Sequence, residues 1–466
     1  MVKFMTVLCN QIVDTGKWPS EWSRSVFVPL PKVSGTKRCE EHRTISLISH
    51  CSKILLRILL NRMQNDANRE INEVQMGFRK GVGTRDQIFN IRMLAEKSRE
   101  FNQPIFVAFI DYSKAFDSVS HNKLWKVMEE LSIRPSIIKL IRSLYKDQEA
   151  AIKVENELSE WFKIEKGVRQ GCLLSPLCFN LYTEYIMRAS VDNHTSGTSI
   201  NGRRINNLRY ADDIALIAKS AEELQELLSI VNNTSKEFGL QINAKKTKVM
   251  TIGQERKEAK IKCEGKTIEQ VEHFKYLGTI ITETADCSKE IRARLGQGRE
   301  AIKRLANIWK SRSVSLKNKI SIATTLVWPV VTYGCEAWTL KQADIKRIEA
   351  FEMFCYRRIL RVSWTDRRTN LSVLGEIGRE KSLLRSIKSR KLKYFGHITR
   401  AGGISAEILQ GMTEGKRKRG RQKTRWSDNI VEWTGKTMNE CTRTCQDRHR
   451  WRKLEWTATR IADPQS

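Results

Sequence analysis

The sequence is short of acidic residues and lacks any long apolar run. Asp and Glu number 52 against 83 Lys and Arg, which leaves a formal charge of +31 on 466 residues. A charge of that size calls for a polyanion, and composition alone fits nucleic acid and an anionic membrane equally. The first residues contain no sustained apolar stretch and no small-residue cleavage site, which argues against a signal peptide. The longest uncharged run, between Lys319 and Glu336, is broken by polar residues, Pro and Gly and predicts buried core rather than a membrane span.

A paired cysteine pattern is also missing. The eleven cysteines are scattered along the chain, which is typical of a protein kept in a reducing compartment inside the cell. Cys441, Cys445 and His449 follow one another at intervals of four and are predicted to share one helix face. A closed structural zinc site needs four ligands, and no fourth lies at a usable spacing, so we expect no zinc.

Short apolar runs and helical periodicity alternate through the first part of the chain, to about residue 284. The runs 105–110 (IFVAFI) and 214–218 (IALIA) predict buried strands. Each is followed by apolar residues at i, i+3, i+4 and i+7, which predict core-facing helices. This mixture predicts an α/β or α+β domain. The helical positions are Leu124, Val127, Met128 and Leu131 after the first run, and Leu224, Leu227, Leu228 and Val231 after the second.

Beyond about residue 285 the sequence is typical of helices rich in Lys, Arg and Trp. Trp309, Trp328, Trp338 and Trp364 are predicted to be core residues. Between Lys381 and Arg425, 14 Lys or Arg stand against two acidic residues, and such a segment neutralises phosphates. The run GKRKRGRQKTR (415–425) is equally typical of a nuclear-import signal. Tyr394, Phe395 and His397, which lie in the same basic segment, are candidates for stacking on single-stranded bases. The predicted nucleic-acid contacts are Lys416, Arg417, Lys418, Arg419, Arg421, Lys423 and Arg425.

Three aspartates give the strongest chemical signal. FIDYSKAFD (109–117) ends the first strand with Asp111, and RYADDIALIA (209–218) places Asp212 and Asp213 side by side before the second. Adjacent carboxylates repel, so this pair is unfavourable beside an apolar strand unless solvent or a cation intervenes. Mg²⁺ prefers oxygen ligands and shares its shell with substrate phosphates. Two such ions about 3.5–4 Å apart can activate a 3′-hydroxyl and stabilise departing pyrophosphate. Taken singly, each segment is equally a solvated turn or an ordinary strand end.

Eight motifs, taken in order, resemble the reverse transcriptase of non-LTR (LINE-type) retrotransposons, above all the endonuclease–reverse transcriptases of the RTE and jockey kind. Their number and order make chance similarity a poor explanation. The C-terminal third is also similar to the tail of such elements, with less diagnostic motifs. The motifs are VFVPLPK (26–32), HRTISLIS (42–49), VQMGFRKGVGTRDQI (74–88), FIDYSKAFD (109–117), GVRQGCLLSP (167–176), YADD (210–213), FGLQINAKKTKVM (238–250) and HFKYLGTII (273–281).

The resemblance implies an α+β, right-hand polymerase with fingers, palm and thumb and an antiparallel palm sheet. Fingers and palm would occupy 1–284, a helical thumb 285–375, and a basic nucleic-acid-binding region 376–466. The implied reaction is RNA-directed DNA synthesis, in which dNTPs are added to a primer 3′ end with two Mg²⁺ ions, or Mn²⁺ as a substitute. Metal-binding roles fall on Asp111, Asp212 and Asp213, with the backbone carbonyl of Tyr112 as a further ligand.

The same resemblance assigns contacts around the metals. Phe116 matches the bulky residue that excludes a ribose 2′-hydroxyl, with core packing as the alternative. Asp117 we expect to cap the backbone. The glycines of GVRQGCLLSP, Gly167 and Gly171, are expected to let the backbone approach the template–primer closely. Arg169 and Gln170 are expected to contact the template or the nucleotide. Lys32, Arg43 and Lys246 are expected to meet the triphosphate, with Lys245 and Lys248 as neighbouring alternatives to Lys246. The primer grip is expected at a predicted hairpin that contains Tyr276, Leu277 and Gly278.

The implied partners are template RNA, a DNA primer or nicked target DNA, and dNTPs, in a ribonucleoprotein of the nucleus and cytoplasm and not at a membrane. Full-length relatives begin with an endonuclease for which this sequence has no room, so target nicking would need a separate endonuclease supplied in trans. Two alternatives stay open. One is an inactive or domesticated remnant that only binds RNA or DNA, which the complete aspartate set disfavours. The other is a group II intron maturase or telomerase-like enzyme, which the form of FIDYSKAFD disfavours.

Overall fold

The computed structural model describes residues 2–32, 35–192, 194–253, 257–417 and 423–460, and these form α-helices, strands and short 3₁₀ and π turns. The helices are α1 Val2–Thr15, α2 Ser20–Ser23, α3 His50–Glu70, α4 Thr84–Glu100, α5 His121–Glu130, α6 Pro135–Tyr145, α7 Ser175–Met187, α8 Ala221–Glu237, α9 Ser288–Arg304, α10 Ala306–Lys310, α11 Leu316–Ile322, α12 Trp328–Val331, α13 Gln342–Leu360, α14 Asn370–Ile377, α15 Leu383–Ala401, α16 Gly403–Gln410, α17 Trp426–Thr434, α18 Met438–Gln446 and α19 Arg448–Arg460. The strands are β1 Arg24–Pro31, β2 His42–Leu47, β3 Ile105–Ile110, β4 Glu149–Val154, β5 Glu157–Leu158, β6 Phe162–Lys163, β7 Thr198–Ile200, β8 Arg203–Ile205, β9 Asn207–Tyr210, β10 Asp213–Ala218, β11 Lys248–Ile252, β12 Lys262–Cys263, β13 Lys266–Thr267, β14 Glu269–Gln270, β15 His273–Tyr276 and β16 Thr279–Thr282.

A five-stranded sheet in the order β14-β11-β3-β10-β9 carries both aspartate segments. Strands β11, β3, β10 and β9 pair antiparallel, and only the short edge strand β14 is parallel to its neighbour. The central strand β3 is buried at every position, because helices or further strands cover both of its faces. Both predicted strands are therefore confirmed, and the antiparallel palm sheet and the α+β class are as expected.

The two faces of this sheet belong to different hydrophobic cores. Side chains alternate across a strand, so Phe106, Ala108 and Ile110 enter one core while Val107 and Phe109 enter the other. The first core is closed by α5 and α8, whose predicted apolar positions are buried, which confirms both helices. The second core extends from α4 through the C-terminal helices as far as α19.

A second sheet, in the order β2-β1-β4-β5 with β6 beside β4, contains the first two motifs. Strand β1 pairs antiparallel with β2, with Leu30 opposite Arg43, and parallel with β4. The two cationic positions of these motifs, Lys32 and Arg43, therefore lie near one end of the same strand pair.

The segment after residue 285 is helical, as predicted. Helix α9 confirms the helix expected at 288–305, and Trp309, Trp328 and Trp338 are buried as expected. The side chain of Trp364 lies outside the described part of the structure. In the uncharged run between Lys319 and Glu336, the buried residues are spread over short helices. None of the described helices is both long and apolar enough to cross a membrane.

Two expectations for the C-terminal region are wrong. Cys441 and Cys445 lie on α18, but that helix ends before Asp447, whose carboxylate accepts the backbone N–H groups of His449 and Arg450 at 2.8 and 3.0 Å. Asp447 thus begins a new helix, and the predicted common face of the two cysteines and His449 does not exist. All eleven cysteines have free thiols.

The stacking role expected for Tyr394 and Phe395 is also wrong, because both rings are buried. The Tyr394 hydroxyl donates to Asp86 at 2.9 Å, and its ring lies 5.2 Å from that of Phe89. Phe395 packs at 5.3 Å from Trp451. Stacking on bases needs exposed rings, whereas these two hold α15 against the rest of the core. His397 alone of the three is exposed.

Trp426 joins the C-terminal helices to α4 and offers a test of this packing. It is fully buried, donates its ring N–H to the Glu336 carbonyl at 2.8 Å and meets the Phe89 ring at 5.0 Å. We expect Trp426→Ala to lower the free energy of unfolding by about 3–5 kcal/mol, measured by chemical denaturation. The control Trp456→Ala removes a ring that is 56% exposed and should change it by less than about 0.5 kcal/mol. Equal losses in the two variants would contradict this account of the core.

Candidate active site

The register of the central sheet brings the three aspartates to one end of its strands, where β3 finishes and β10 begins. Strand β10 pairs with β3 so that Ile214 faces Ile110, where the ladder ends. The same register continued by one residue brings Asp213 to the position opposite Asp111. Opposed residues of antiparallel strands have Cα atoms about 4.5–5.5 Å apart. Asp212 occupies the turn that joins β9 to β10, where Tyr210 pairs with Asp213. Asp212 and Asp213 follow Asp111 by 101 and 102 residues in the sequence, yet all three lie together at the same end of the neighbouring strands β3 and β10.

The turn that carries Asp212 is strained and is held by a buried side chain. Ala211 has φ of 56°, a left-handed conformation that a residue with a Cβ rarely adopts. Gln75, which is 1% exposed, accepts the N–H of Ala211 through Oε1 at 2.9 Å and donates Nε2 to the Ala211 carbonyl at 3.5 Å. Such strain persists only where the surroundings impose it. The two-residue turn between Tyr210 and Asp213 requires a positive φ at this position, and Gln75 holds both backbone polar groups of Ala211 in place.

The segment around Gln75 packs against the aspartate hairpin backbone to backbone. Met76 donates its N–H to the Arg209 carbonyl at 2.9 Å, and Arg209 donates to Val74 at 3.1 Å. A Cβ on Gly77 would overlap the Ala211 nitrogen and lie 3.0 Å from the Tyr210 carbonyl carbon. Position 77 therefore has no room for any side chain.

Sequence reasoning missed Gln75 and Gly77 as part of the site, although both lie in a quoted motif. The one available signal was a polar Gln between apolar Val74 and Met76, followed by Gly. A buried polar side chain must find hydrogen-bond partners, and a glycine beside it permits a close approach. The partner could not be read from sequence, because Gln75 and Ala211 are 136 residues apart.

The three carboxylates disfavour one another's charge. Burial and the charges of Asp212 and Asp111 raise the pKa of Asp213 to about 7. Burial also raises the pKa of Asp212, and the charge of Asp111 raises it further. The pKa of Asp111 is raised by burial. The Asp213 side chain is partly accessible to solvent, but enough protein surrounds its carboxylate for burial to raise the pKa. Both features are expected of a residue on the floor of a cleft. The three carboxylates thus give the site a negative electrostatic potential, and solvent reaches it at Asp213.

Three cations predicted to meet a triphosphate lie around this cluster. Lys246 places Nζ 4.0 Å from Asp111 Oδ2, and the charges of Lys246 and Lys32 oppose the rise in the pKa of Asp111. Arg43 acts in the same sense on Asp212. All three side chains are exposed. Of the neighbouring lysines, Lys248 instead pairs with Glu269 at 2.8 Å.

The carboxylate arrangement fits a divalent metal in its charge and in its oxygen ligands. Within the described residues, no group of three or more His, Cys, Asp or Glu side chains forms a ready metal cage. Mg²⁺ is usually bound by one or two carboxylates together with substrate phosphates and water rather than by an all-protein cage. A cation between Asp111 and Asp213 would offset the burial and, at Asp213, the carboxylate repulsion that raise their pKa values. Tyr112, the predicted backbone ligand, follows Asp111 directly where the chain leaves β3.

Gln170, the predicted template or nucleotide contact, is held by Asp117. Gln170 donates Nε2 to Asp117 Oδ1 at 3.0 Å, and its backbone carbonyl accepts the N–H of Ser46 at 2.7 Å. Asp117 was expected to cap the backbone, but the contact that its carboxylate makes among the described residues is this one with the Gln170 side chain. Asp117 therefore orients Gln170.

The other residues of this loop face inward, against expectation. Arg169 is 4% exposed and donates to the backbone carbonyls of Trp22 at 2.9 Å and Ser23 at 2.6 Å, so its guanidinium is buried within the protein and does not face a phosphate at the surface. A Cβ on Gly167 would lie 2.9 Å from the Asp117 backbone, and one on Gly171 2.8 Å from the Ser46 carbonyl. Both glycines have positive φ and serve close packing within the chain itself.

Phe116, five residues after Asp111 in the sequence, has one face of its ring covered. Its ring stacks on Phe179 with centroids 4.3 Å apart, and the edge of Phe78 lies 6.5 Å away. The side chain is half-buried. Phe179 therefore fixes the orientation of the ring, and part of the side chain remains accessible to solvent.

The predicted hairpin at 273–281 is confirmed as β15 and β16, joined by Leu277 and Gly278. It covers the sheet face below the aspartates, where Phe274 stacks on Phe109 at 4.4 Å. Tyr276 is 2% exposed, so its ring packs in the core and cannot reach a nucleic acid. At the tip, Tyr333 donates to the Leu277 carbonyl at 2.9 Å and Arg294 donates to that of Gly278. Helix α9 thus anchors the hairpin tip.

Part of the basic run at 415–425 is held by acidic residues. Arg417 and Arg425 both pair with Glu100, at 2.7 and 3.2 Å, and Arg425 also pairs with Asp428 at 2.8 Å. The ends of the run are therefore fixed to α4 and α17. Of the other predicted contacts, Lys416 and Lys423 are exposed, and Lys418, Arg419 and Arg421 lie outside the described residues.

Comparison with known proteins places these motifs in a family. The model of "Reverse transcriptase (RNA-dependent DNA polymerase)" matches residues 30–281. The RNA-directed DNA polymerase from the mobile element jockey of Drosophila melanogaster is 24% identical over 375 residues, which cover 78% of this chain and 40% of that protein. A transposon-derived protein of Caenorhabditis elegans is 30% identical over 248 residues, or 50% of this chain and 86% of that protein.

The chain spans about two fifths of the length of the first curated relatives it matches. Among solved structures, the telomerase of Candida tropicalis in complex with a fragment of telomeric RNA aligns with a TM-score of 0.42 and 13% sequence identity. That alignment covers 87% of this chain and 67% of the telomerase chain.

Proposed function

The chain belongs to the reverse transcriptase (RNA-dependent DNA polymerase) family, and we propose that it is the RNA-directed DNA polymerase of a non-LTR retrotransposon. The resemblance to these elements found in the sequence is confirmed by the match to jockey. The proposal rests on one observation: Asp111, Asp212 and Asp213 converge where β3 ends and β10 begins in the palm sheet. The predicted products are a DNA strand longer by one nucleotide and pyrophosphate.

Each part of the site has a role in this reaction. Two Mg²⁺ ions, or Mn²⁺ in their place, would activate the primer 3′-hydroxyl and stabilise the leaving pyrophosphate. Asp111, Asp212 and Asp213 would hold them, with the Tyr112 carbonyl as a further ligand. Lys32, Arg43 and Lys246 surround the aspartates and would meet the triphosphate oxygens. Gln170, oriented by Asp117, would contact the nascent base pair.

The larger parts of the chain take further roles in the proposal. Residues 1–284 form fingers and palm, 285–375 the helical thumb, and 376–466 a basic region that binds nucleic acid. Leu277 and Gly278, fixed by Tyr333 and Arg294, would hold the primer end. Template RNA, a DNA primer or nicked target DNA, and dNTPs are the proposed partners. The setting would be a ribonucleoprotein of nucleus and cytoplasm.

Primer extension tests the proposal. The purified chain is given a DNA primer annealed to an RNA template, with dNTPs and with or without Mg²⁺. We expect Mg²⁺-dependent extension that copies the RNA sequence. A protein that binds the primer–template but never extends it, with Mg²⁺ or Mn²⁺, would contradict the proposal and favour the inactive remnant.

Phe116 gives a prediction about sugar selection. We propose that its ring, fixed by Phe179, excludes the ribose 2′-hydroxyl, so Phe116→Ala should admit ribonucleotides. We expect the ratio of kcat/KM for dNTP over rNTP to fall roughly tenfold or more. The measurement is single-nucleotide incorporation with each sugar. An unchanged ratio in a variant that has merely lost stability would assign Phe116 to core packing.

A further inference from the structure

A cavity of about 470 Å³ lies between α5 and α6, and none of its lining residues belongs to the aspartate site. Its cationic residues are Lys139 and Arg142 of α6 and Lys146 just beyond that helix. Its walls include the rings of Trp125 and Tyr145. Among the described residues, those that line it include no Asp or Glu.

The three cations have no carboxylate to balance them. Each is exposed, and among the described residues none of the three forms an ion pair. The contrast is Arg134, immediately before α6, which pairs with Asp66 at 2.8 Å. Like charges gathered in one concave space repel one another, and an anion that enters it removes that repulsion. The cavity is therefore suited to a phosphate-bearing ligand.

The cavity is connected to the active-site loop by direct contacts. Ser120 forms a β-bridge with Lys166, and the ring of His121, which lines the cavity, is 2.8 Å from the Gly167 carbonyl. Three residues further along this loop is Gln170, the proposed contact with the nascent base pair. Lys166 is exposed and, in the part of the chain that is described, unpaired. Unpaired positive charge thus continues from the loop beside Gln170 to the cavity.

We propose that this cavity binds backbone phosphates of the unpaired template strand outside the catalytic cleft, which rests on the proposed polymerase function. Lys139, Arg142 and Lys146 would neutralise the phosphates. Trp125 and Tyr145 are 5% and 4% exposed, so their rings form walls and leave no free face for a base to stack on. Recognition is therefore of the phosphate backbone, without preference for sequence.

The test compares template overhangs. Binding of a fixed primer duplex is measured by fluorescence anisotropy, with a 5′ template overhang that is either one nucleotide or long enough to extend beyond the cleft. The wild-type chain should bind the long overhang more tightly. In the triple variant Lys139→Gln, Arg142→Gln, Lys146→Gln we expect this gain to fall roughly tenfold and the salt slope for the long overhang to decrease by about 2, because each single-strand phosphate contact contributes about 0.7.

A matched variant controls for net charge. Arg57, Lys262 and Lys266 are exposed and, within the described residues, unpaired, and Gln at all three removes the same three charges. This variant should keep the overhang gain of the wild type. The proposal is overturned if the cavity variant also keeps it, or if a double-stranded extension produces the same gain as the unpaired strand. Overhang-dependent binding without primer extension would contradict the proposed polymerase function alone.

Discussion

Replacing Asp213 by Asn should reduce primer extension on the order of 10³-fold or more while leaving the fold intact. The amide keeps the shape of the side chain but removes the charge that would hold a metal ion against the primer end. Single-turnover extension with saturating dNTP and Mg²⁺ measures the loss in the chemical step. We expect equivalent losses for Asp111→Asn, because the register places it opposite Asp213.

The same substitution should not destabilise the metal-free protein. The folded-state pKa of Asp213 is raised to about 7, above its ordinary value of about 4. The cost of its ionisation to folding therefore builds up between about pH 4 and pH 7 and is fully present above pH 7. The Asn variant lacks this charge and should be at least as stable as the wild type at pH 8, by chemical denaturation. Asp14→Asn, on the exposed outer face of α1, should change neither property. Lost activity together with a lost fold would remove the support that this variant gives to a metal-binding role.

Gly77→Ala should lower extension by about 10²-fold, although residue 77 is not expected to touch substrate. The new methyl group would overlap the Ala211 nitrogen, so the turn that carries Asp212 must move. A displacement of about 1 Å of a positioned group costs on the order of 10²-fold in rate. Extension kinetics at saturating substrate would measure this as a fall in kcat rather than a rise in KM.

Two companion variants separate the turn from general damage. Gly83→Ala lies in the same segment, in extended backbone at φ of −161° with open space around it, and should retain activity within a few-fold. Gln75→Leu keeps the bulk but removes every hydrogen bond to Ala211, and should reproduce the loss seen for Gly77→Ala. If Gly77→Ala and Gly83→Ala behaved alike, the backbone contact at Ala211 would have no catalytic role.

Much of the fold could be predicted because local patterns settle it. A short, continuous apolar run such as 105–110 predicts a buried strand, and the spacing of Leu124, Val127 and Met128 predicts a helix on its face. The hairpin at 273–281 was likewise predictable from Gly278 between two strand-like runs. The boundary error at Asp447 has a local cause too, because one capping carboxylate is enough to begin a new helix.

Contacts made at long range could not be predicted. Arg169 resembles a phosphate contact in sequence, yet it is buried and donates to the carbonyls of Trp22 and Ser23, about 146 residues earlier. Tyr394 lies in a segment whose charge suggests a surface, and only its bond to Asp86, 308 residues away, explains its burial. A motif identifies which residues matter to the site more reliably than it identifies what each of them touches.

Counting bound metal ions tests the central claim most directly. Mn²⁺ is titrated into the chain with primer–template and an unreactive dNTP analogue, and electron paramagnetic resonance measures how many ions are bound. We expect two ions per wild-type chain and at most one weakly held ion in Asp111→Asn, Asp213→Asn. An unchanged count of two in that double variant would show that the converging aspartates are not where the metals bind.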